Sequence, residues 1–399
     1  MAAYRLLVVD HAVEMGGAEV ILLQFLEKLD RGLFDPGLAC PHEGPLTQRV
    51  RRMGVHVYLG HPSPRLLRIK RDSLGGGGPA ALAYPLDLMV SAARLAALIR
   101  RGRFHLVLTN SAKAHVYGSL AGFLARVPVV WRLHDIVDQD AFSGLNRWLL
   151  RSCASLSSTA KVMAISGAVR EALLALGVVE GKVVVVYNGV DKAEDDGGEA
   201  RREIRARLGI EEQAATAGFV GRLVEWKGPD YFIKAAALVS EKMPQARFLV
   251  VGDAIYGEQD YALALKSLSA SLGLEEKVIF TGFVDNTGEF MRGMDLLVHA
   301  SVLPEPFGLV IAEAMMLGLP VVAAEGGAVR EIVEDGVTGL VVPPRREDAL
   351  AEAMLEILSH PDRAKQMGEN GKERACRMFD ADAMTGNMVR ELLGVLRGA

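Results

Sequence analysis

The sequence predicts an α/β protein made of two doubly wound, Rossmann-like domains facing across a cleft. Short β-branched runs alternate with helix-length amphipathic segments along its 399 residues, as parallel strands joined by crossover helices require. The alternation stops at an acidic, Gly-containing stretch, Asp191–Glu199, and then restarts. Charge divides at the same place. Residues 1–190 carry 22 Lys+Arg against 14 Asp+Glu, a net of +8, whereas residues 191–399 carry 23 against 35, a net of −12. Halves so different in charge are expected to meet different partners.

Taken in order, the expected strands of the first half are Arg5–Asp10, Leu38–Cys40, Val55–Leu59, Leu106–Thr109, Val129–Leu133, Val162–Ile165 and Val183–Tyr187. Those of the second half are Ala217–Val220, Arg247–Val251, Lys277–Thr281, Leu296–His299, Val321–Ala323 and Gly339–Val342. Each is short, rich in Val, Ile or Leu, and bounded by turn residues or a helical pattern, as strands buried on both faces are. The boundaries that follow are a first domain over 1–190, a linker over 191–199 and a second domain over 200–375. The terminal segment 376–399 carries a helix, Ala381–Leu396, that would pack back on the first domain. Gly75–Pro79, with four consecutive glycines, reads as a mobile surface loop.

Composition narrows the class. No run approaches the ~18 uninterrupted apolar residues of a membrane span, and Met1–Asp10 reads as a strand, not as a signal peptide. Three widely spaced cysteines, Cys40, Cys153 and Cys376, fit no metal spacing and suit a reducing cytoplasm. The basic half clusters its charge at Arg49, Arg51 and Arg52, at Arg65, Arg68, Lys70 and Arg71, and at Arg100, Arg101 and Arg103. A solvated face explains such clusters, and an anionic acceptor or the inner face of an anionic membrane is the functional alternative. Aromatic interleaving is missing, which argues against nucleic acid.

The richest segment is 301–320, SVLPEPFGLVIAEAMMLGLP. Pro306 disfavours helix at Glu305, and Gly308 permits an unusual turn, so a helix is expected to start near Leu309. Its first-turn amides would be free donors at a positive dipole end, ready for phosphate. Glu305 lies before that start and Glu313 one turn inside it. Both could face a ligand with a diphosphate in its middle and hydroxyls at each end, which is the shape of a nucleotide sugar.

Four further segments bear on this. In Val220-Gly221-Arg222-Leu223-Val224-Glu225-Trp226-Lys227-Gly228, Arg222 and Lys227 follow a strand and could converge at its carboxyl end, where open α/β sheets bind ligands. Gly16-Gly17-Ala18-Glu19 is a glycine turn at a strand-to-helix junction; it can approach an anion, although a Gly pair is also an ordinary turn and the Gly-x-Gly-x-x-Gly fingerprint is absent. His134 ends the Trp131–Asp135 strand edge and is either a satisfied loop residue or a sugar contact. Asp135, Asp138 and Asp140 read as a solvated loop, since no defined cation loop is evident. Tyr187-Asn188-Gly189-Val190-Asp191 is a turn that closes the first domain.

Together these pieces resemble the retaining family 4 glycosyltransferases of GT-B fold (glycosyl transferases group 1), over nearly the whole chain. Glu305-Pro-Phe-Gly…Glu313-Ala-Met is similar to that family's Glu-x(7)-Glu element. The resemblance implies that Arg222 and Lys227 hold the donor diphosphate, with Gly16 and Gly17 approaching it from the first domain. It implies that Glu313 takes the ribose hydroxyls, while Glu305 and the backbone of Phe307, Gly308, Leu309 and Val310 hold the transferred sugar. His134 would contact a hydroxyl of that sugar, and Phe283-Val284 would meet the nucleobase. The implied activity is transfer of a hexosyl group, with retention and without metal or other cofactor, from a UDP-sugar or GDP-mannose to a saccharide or lipid-linked acceptor in cell-surface glycan synthesis. The implied route is a front-face transfer through an oxocarbenium-like centre, with closure about the linker excluding water. Two other classes share parts of this pattern. An isomerase of the non-hydrolysing UDP-sugar 2-epimerase type would need additional acids and bases in the cleft. A non-catalytic sugar-nucleotide-binding protein would not need Arg222, Lys227, Glu305 and Glu313 all intact.

Overall fold

Thirteen strands in two all-parallel sheets organise the described residues of the computed structural model, which are 3–62, 79–138, 142–192, 197–254 and 258–398. The Arg65–Arg71 cluster, the Gly75–Gly78 loop, Asp140 and the middle of the 191–199 segment lie outside them. The chain divides into one unit of Met1–Gly189 with Ala381–Ala399 and another of Val190–Asp380. The first break falls at the turn that closes the expected first domain. The second falls after Asp380, five residues beyond 375, because residues 361–378 are one continuous helix.

In the first unit the strands are β1 (Tyr4–Val9), β2 (Phe34–Cys40), β3 (His56–Leu59), β4 (Leu106–Thr109), β5 (Val129–Leu133), β6 (Thr159–Ala164) and β7 (Val183–Val185). Their spatial order is β3-β2-β1-β4-β5-β6-β7. Sequence order therefore reverses between β1 and β4, the topological switch point where ligands bind in such sheets. Strand β2 starts four residues earlier than its hydrophobic run, through Asp35-Pro36-Gly37. Pro36 is tolerated because β3 pairs with β2 only from Gly37 onward, so no partner on that side asks for its missing N–H.

Among the described residues before Gly189, the helices that connect these strands are α1 (Gly17–Lys28), α2 (Pro45–Arg52), α3 (Pro79–Arg101), α4 (Ala112–Ala125), α5 (Gly144–Ser155) and α6 (Gly167–Leu176). Local chemistry sets their ends. The Ser166 hydroxyl accepts the Val169 N–H at the start of α6, and Gly177 closes it at φ 90°. The C-terminal helix Ala381–Gly398 packs on α1 and β6, burying Met384, Met388 and Leu392.

The second unit has β8 (Thr216–Val220), β9 (Arg247–Val251), β10 (Val278–Gly282), β11 (Leu296–His299), β12 (Val321–Ala324) and β13 (Gly339–Val342), in the order β10-β9-β8-β11-β12-β13. Its switch point lies between β8 and β11. Around the sheet run α7 (Glu199–Arg207), α8 (Pro229–Lys242), α9 (Gln259–Ser271), α10 (Thr287–Arg292), α11 (Leu309–Met316), α12 (Val329–Ile332), α13 (Glu347–Leu358) and α14 (Pro361–Met378). Phe219 meets Phe232 at a tilt, and Phe232 meets Phe248 edge-on, across the core of the second unit. Buried strands with small and branched side chains give both sheets a rigid floor, and the chemistry sits at its carboxyl edge. No helix among the described residues is long and apolar enough to cross a membrane.

Candidate functional site

At the switch point of the second sheet, three donors converge on one oxygen. The chain leaves β8 at Gly221, turns through Glu225–Lys227, and is tied back to the segment after β11 by the Val302 N–H donating to the Trp226 carbonyl at 2.9 Å. That tie delivers Lys227. Its Nζ lies 2.5 Å from Glu305 Oε2, with the two side chains 25% and 12% exposed. His299, the last residue of β11, places Nε2 at 3.1 Å from the same oxygen, and the Ser301 hydroxyl donates to it at 3.3 Å. Burial alone would raise the Glu305 carboxyl. The charge of Lys227 and the His299 hydrogen bond outweigh it and hold the group well below the usual carboxylate range.

The backbone around Glu305 is equally constrained. Its carbonyl accepts the Ala328 N–H at 2.8 Å, and Glu305 bridges Gly327 of the loop after β12. Gly327 sits at φ 58°, where a Cβ would stand 2.1 Å from the Glu305 oxygen. Two residues on, the buried Phe307 ring meets the edge of Phe379 at 5.5 Å. Gly308 then takes a left-handed conformation, φ 92°, and α11 begins at Leu309, where the sequence predicts it. No side chain caps this helix, so its first-turn donors point outward at the positive end of the dipole.

Glu313 lies one turn inside α11, half-buried, and is bonded by the Thr287 hydroxyl at the start of α10. Burial pushes its carboxyl up to about 7, with the Thr287 bond opposing. Arg222 is exposed, and its guanidinium lies 5.5 Å over the Trp226 ring. Phe283, 63% exposed, and the half-buried Val284 follow β10 directly. Lys227 and Glu305 are thus in direct contact, Arg222 faces solvent over Trp226, and Glu313 is held separately.

The first unit has its own polar cluster at the β1/β4 switch point. Gly16 and Gly17 open α1, and the Gly16 N–H donates to Glu19 Oε2 at 2.9 Å. Burial, reinforced by the nearby Asp10, pushes the Glu19 carboxyl up to about 7. Asp10 follows β1 and is fully buried; it accepts the Ala12 N–H at 3.1 Å and the Asn110 amide at 2.8 Å. Asn110, which follows β4, places its carbonyl oxygen 3.0 Å from His134 Nε2. Beside them His11 Nδ1 lies 2.6 Å from the Ser111 hydroxyl. Burial, with Arg132 and His115 adding to it, holds His134 well below its ordinary value, so its imidazole is neutral.

Sequence reasoning reached Gly16, Gly17, His134, Arg222, Lys227, Phe283, Val284, Glu305, Phe307, Gly308, Leu309, Val310 and Glu313. It missed His299, Ser301, Thr287, Gly327, Asp10 and Asn110. A signal for His299 was present, because it ends a predicted strand just as His134 follows one. Asp10 and Asn110 lie one hundred residues apart, and only the strand order makes them neighbours. Among the described residues no group of three or more His, Cys, Asp or Glu side chains is arranged to hold a metal ion.

Comparison with known proteins places these two clusters in context. Residues 15–194 match the family described as Glycosyltransferase Family 4, and residues 200–374 match Glycosyl transferases group 1. The Anabaena protein HepE, solved with UDP, is 29% identical, with a TM-score of 0.84 over 98% of this chain and 100% of that one. Its complex with UDP-glucose aligns at 28% identity and a TM-score of 0.82, over 98% and 99% of the two chains. The α-D-kanosaminyltransferase of Streptomyces kanamyceticus is 29% identical over 67% of this chain and 71% of its own. A D-inositol 3-phosphate glycosyltransferase of Kribbella flavida is 35% identical, over 50% of this chain and 48% of its own.

Proposed function

Because the chain belongs to the family 4 glycosyltransferases of GT-B fold, we propose that it moves a hexosyl group from a UDP-sugar to a saccharide or lipid-linked acceptor, with retention and without a metal. The observation that carries this reading is the cluster at the β8/β11 switch point. A cation, a buried carboxylate and an uncapped helix start meet at one sheet edge, matching in charge the diphosphate and sugar of a nucleotide-sugar donor. UDP-glucose in the related HepE supports a uridine donor before GDP-mannose.

In this reading Lys227, Arg222 and the amides of Leu309 and Val310 take the diphosphate and stabilise the charge that grows on it as the glycosidic bond breaks. Lys227 is pre-oriented by Glu305, so little ordering remains to be done when phosphate arrives. Glu305 offers its second oxygen to sugar hydroxyls, Glu313 takes the ribose, and Phe283-Val284 flank the base. A carboxylate already engaged by Lys227, His299 and Ser301 is a poor nucleophile. That supports a front-face transfer, in which the leaving phosphate accepts the acceptor's proton, over a covalent glycosyl-enzyme. The basic clusters of the first unit meet an anionic acceptor or the membrane that carries it, at the inner face of the cytoplasmic membrane.

Incubation with a panel of UDP- and GDP-sugars tests this, reading release of nucleoside diphosphate as slow donor hydrolysis. UDP-hexoses should be cleaved, and chelator should leave the rate unchanged. Inertness towards every nucleotide sugar, with no binding by calorimetry, would reject the transferase reading. Loss of turnover with chelator would replace the metal-free route by a cation-bridged one.

A further inference from the structure

The Glu305 carboxylate receives three donors on one oxygen, Oε2: Lys227 Nζ at 2.5 Å, His299 Nε2 at 3.1 Å and the Ser301 hydroxyl at 3.3 Å. These partners differ in how firmly they are held. Lys227 ends a long flexible chain, is 25% exposed, and carries the charge that a diphosphate competes for. His299 and Ser301 are 5% and 3% exposed. The sheet fixes the His299 backbone, because it pairs with Ala323 of β12. An ionised carboxylate only accepts, so His299 Nε2 must carry a proton. The other ring nitrogen, Nδ1, is buried without a hydrogen-bond partner among the described residues. Burying a polar atom unpaired costs stability, and an apolar side chain of similar size would avoid that cost. Packing alone therefore gives no reason for a histidine here, whereas the bond from Nε2 does.

We infer that His299 is a positioning residue which, with Ser301, holds Glu305 by Oε2 in one orientation, so that Oε1 stays turned to the hydroxyls of the donor sugar after the diphosphate has drawn Lys227 towards itself. This rests on the reading that Glu305 meets the transferred sugar. The two partners of Glu305 then have separate tasks. Lys227 acts on the diphosphate, which UDP and UDP-glucose share. His299 acts through Glu305, and only on the sugar. The backbone supports this division. The Val302 N–H donates to the Trp226 carbonyl at 2.9 Å, and Gly228, at φ 66°, lies where a Cβ would stand 2.1 Å from the Ala300 oxygen. The loop bearing Lys227 is thus pinned against the turn bearing His299 and Ser301, and the Lys227 side chain is the part that can follow an anion. A histidine that only fills space would behave differently. Its replacement would change stability and leave sugar recognition alone.

Calorimetric titration of the full chain with UDP and with UDP-glucose separates the two accounts. His299→Leu should keep UDP affinity within about twofold, weaken UDP-glucose about tenfold, and melt no lower than the unmodified protein. His299→Gln, whose amide can donate from the place of Nε2, should recover most of the lost ratio. Equal weakening of both ligands, an unchanged ratio in folded His299→Leu, or a Gln variant no better than Leu would overturn the inference. Should His299→Leu not fold, Ser301→Ala removes a donor from the same oxygen and should lower the UDP-glucose to UDP ratio in the same direction. An unchanged ratio there counts against the inference.

Long-range 1H–15N spectra of the histidine-labelled chain give a second readout, with His299 identified as the signal that His299→Gln lacks. The ring should carry a proton on Nε2 and keep it when UDP is added. A ring protonated on Nδ1 alone, or an Nε2 proton lost on adding UDP, refutes the hold on Glu305. If neither ligand binds the unmodified chain, the donor assignment fails, and the spectra alone decide whether His299 holds Glu305.

Discussion

Glu305 and Glu313, on either side of the start of α11, are shifted in opposite directions, and the neighbours of each explain why. Glu305 gathers Lys227, His299 and Ser301 on one oxygen, whereas Glu313 has burial and a single hydroxyl donor. Both positions were legible in the sequence. Their contrasting ionisation was not, because it depends on how the turn from His299 to Glu305 folds back on itself and on Lys227 and Thr287, which come from other elements. Glu313 makes a testable link to pH. Its folded value, about 7, stands above the usual 4.5, so the folded state holds this proton more tightly than the unfolded chain does. The associated stability is complete below about pH 4.5 and falls away as pH rises towards 7. Thermal unfolding of the unmodified chain and of Glu313→Gln between pH 4.5 and 8 should show the unmodified protein losing up to a few kcal/mol relative to the variant, at roughly 1.4 kcal/mol per pKa unit. A constant difference across that range would reject the buried-carboxyl account.

At the scale of elements, the thirteen strands and the start of α11 were readable because buried parallel strands are nearly continuous apolar runs and because Pro and Gly punctuate them. What escaped was how loops lean on one another. The Gly326-Gly327-Ala328 turn looks like any connection, yet it holds the backbone of Glu305 through Gly327 and Ala328. Gly327→Ala combines a left-handed backbone with a contact of 2.1 Å to the Glu305 oxygen, so a loss of about 1–3 kcal/mol is expected together with weaker binding of UDP. Gly386→Ala is the control. It lies within the C-terminal helix with nothing within 4 Å of an added Cβ, and about 0.5–1 kcal/mol of stabilisation is expected there. Melting curves and UDP titrations of the two variants should differ in sign for stability, and only Gly327→Ala should affect binding.

For the whole molecule, the two-unit plan was visible as a restart of the strand pattern and a reversal of charge, and the last helix was expected on the first domain, but not the contacts that hold it there. Met384 links that helix to the buried Arg132, at 3.4 Å, and to the Gly189 N–H, at 3.0 Å. Lys28–Asp382 and Lys161–Glu391 join it to α1 and β6 from outside. Removing residues 381–399 should therefore loosen the first sheet and spare the second. Hydrogen exchange of the shortened chain should show faster exchange in β1 and β6, with β8–β13 unchanged. Equal acceleration in both sheets would refute the assignment of the helix.

The same connectivity reaches back into the making of the protein. One unit is interrupted in sequence by the other, and residues 190–380 are enclosed between the pieces of their neighbour. On a ribosome the inserted unit can complete itself as soon as it emerges. The first-made strands must wait for the helix that covers Met384, Met388 and Leu392, so the unit begun first is finished last, and the half-built first sheet is the species most in need of a chaperone.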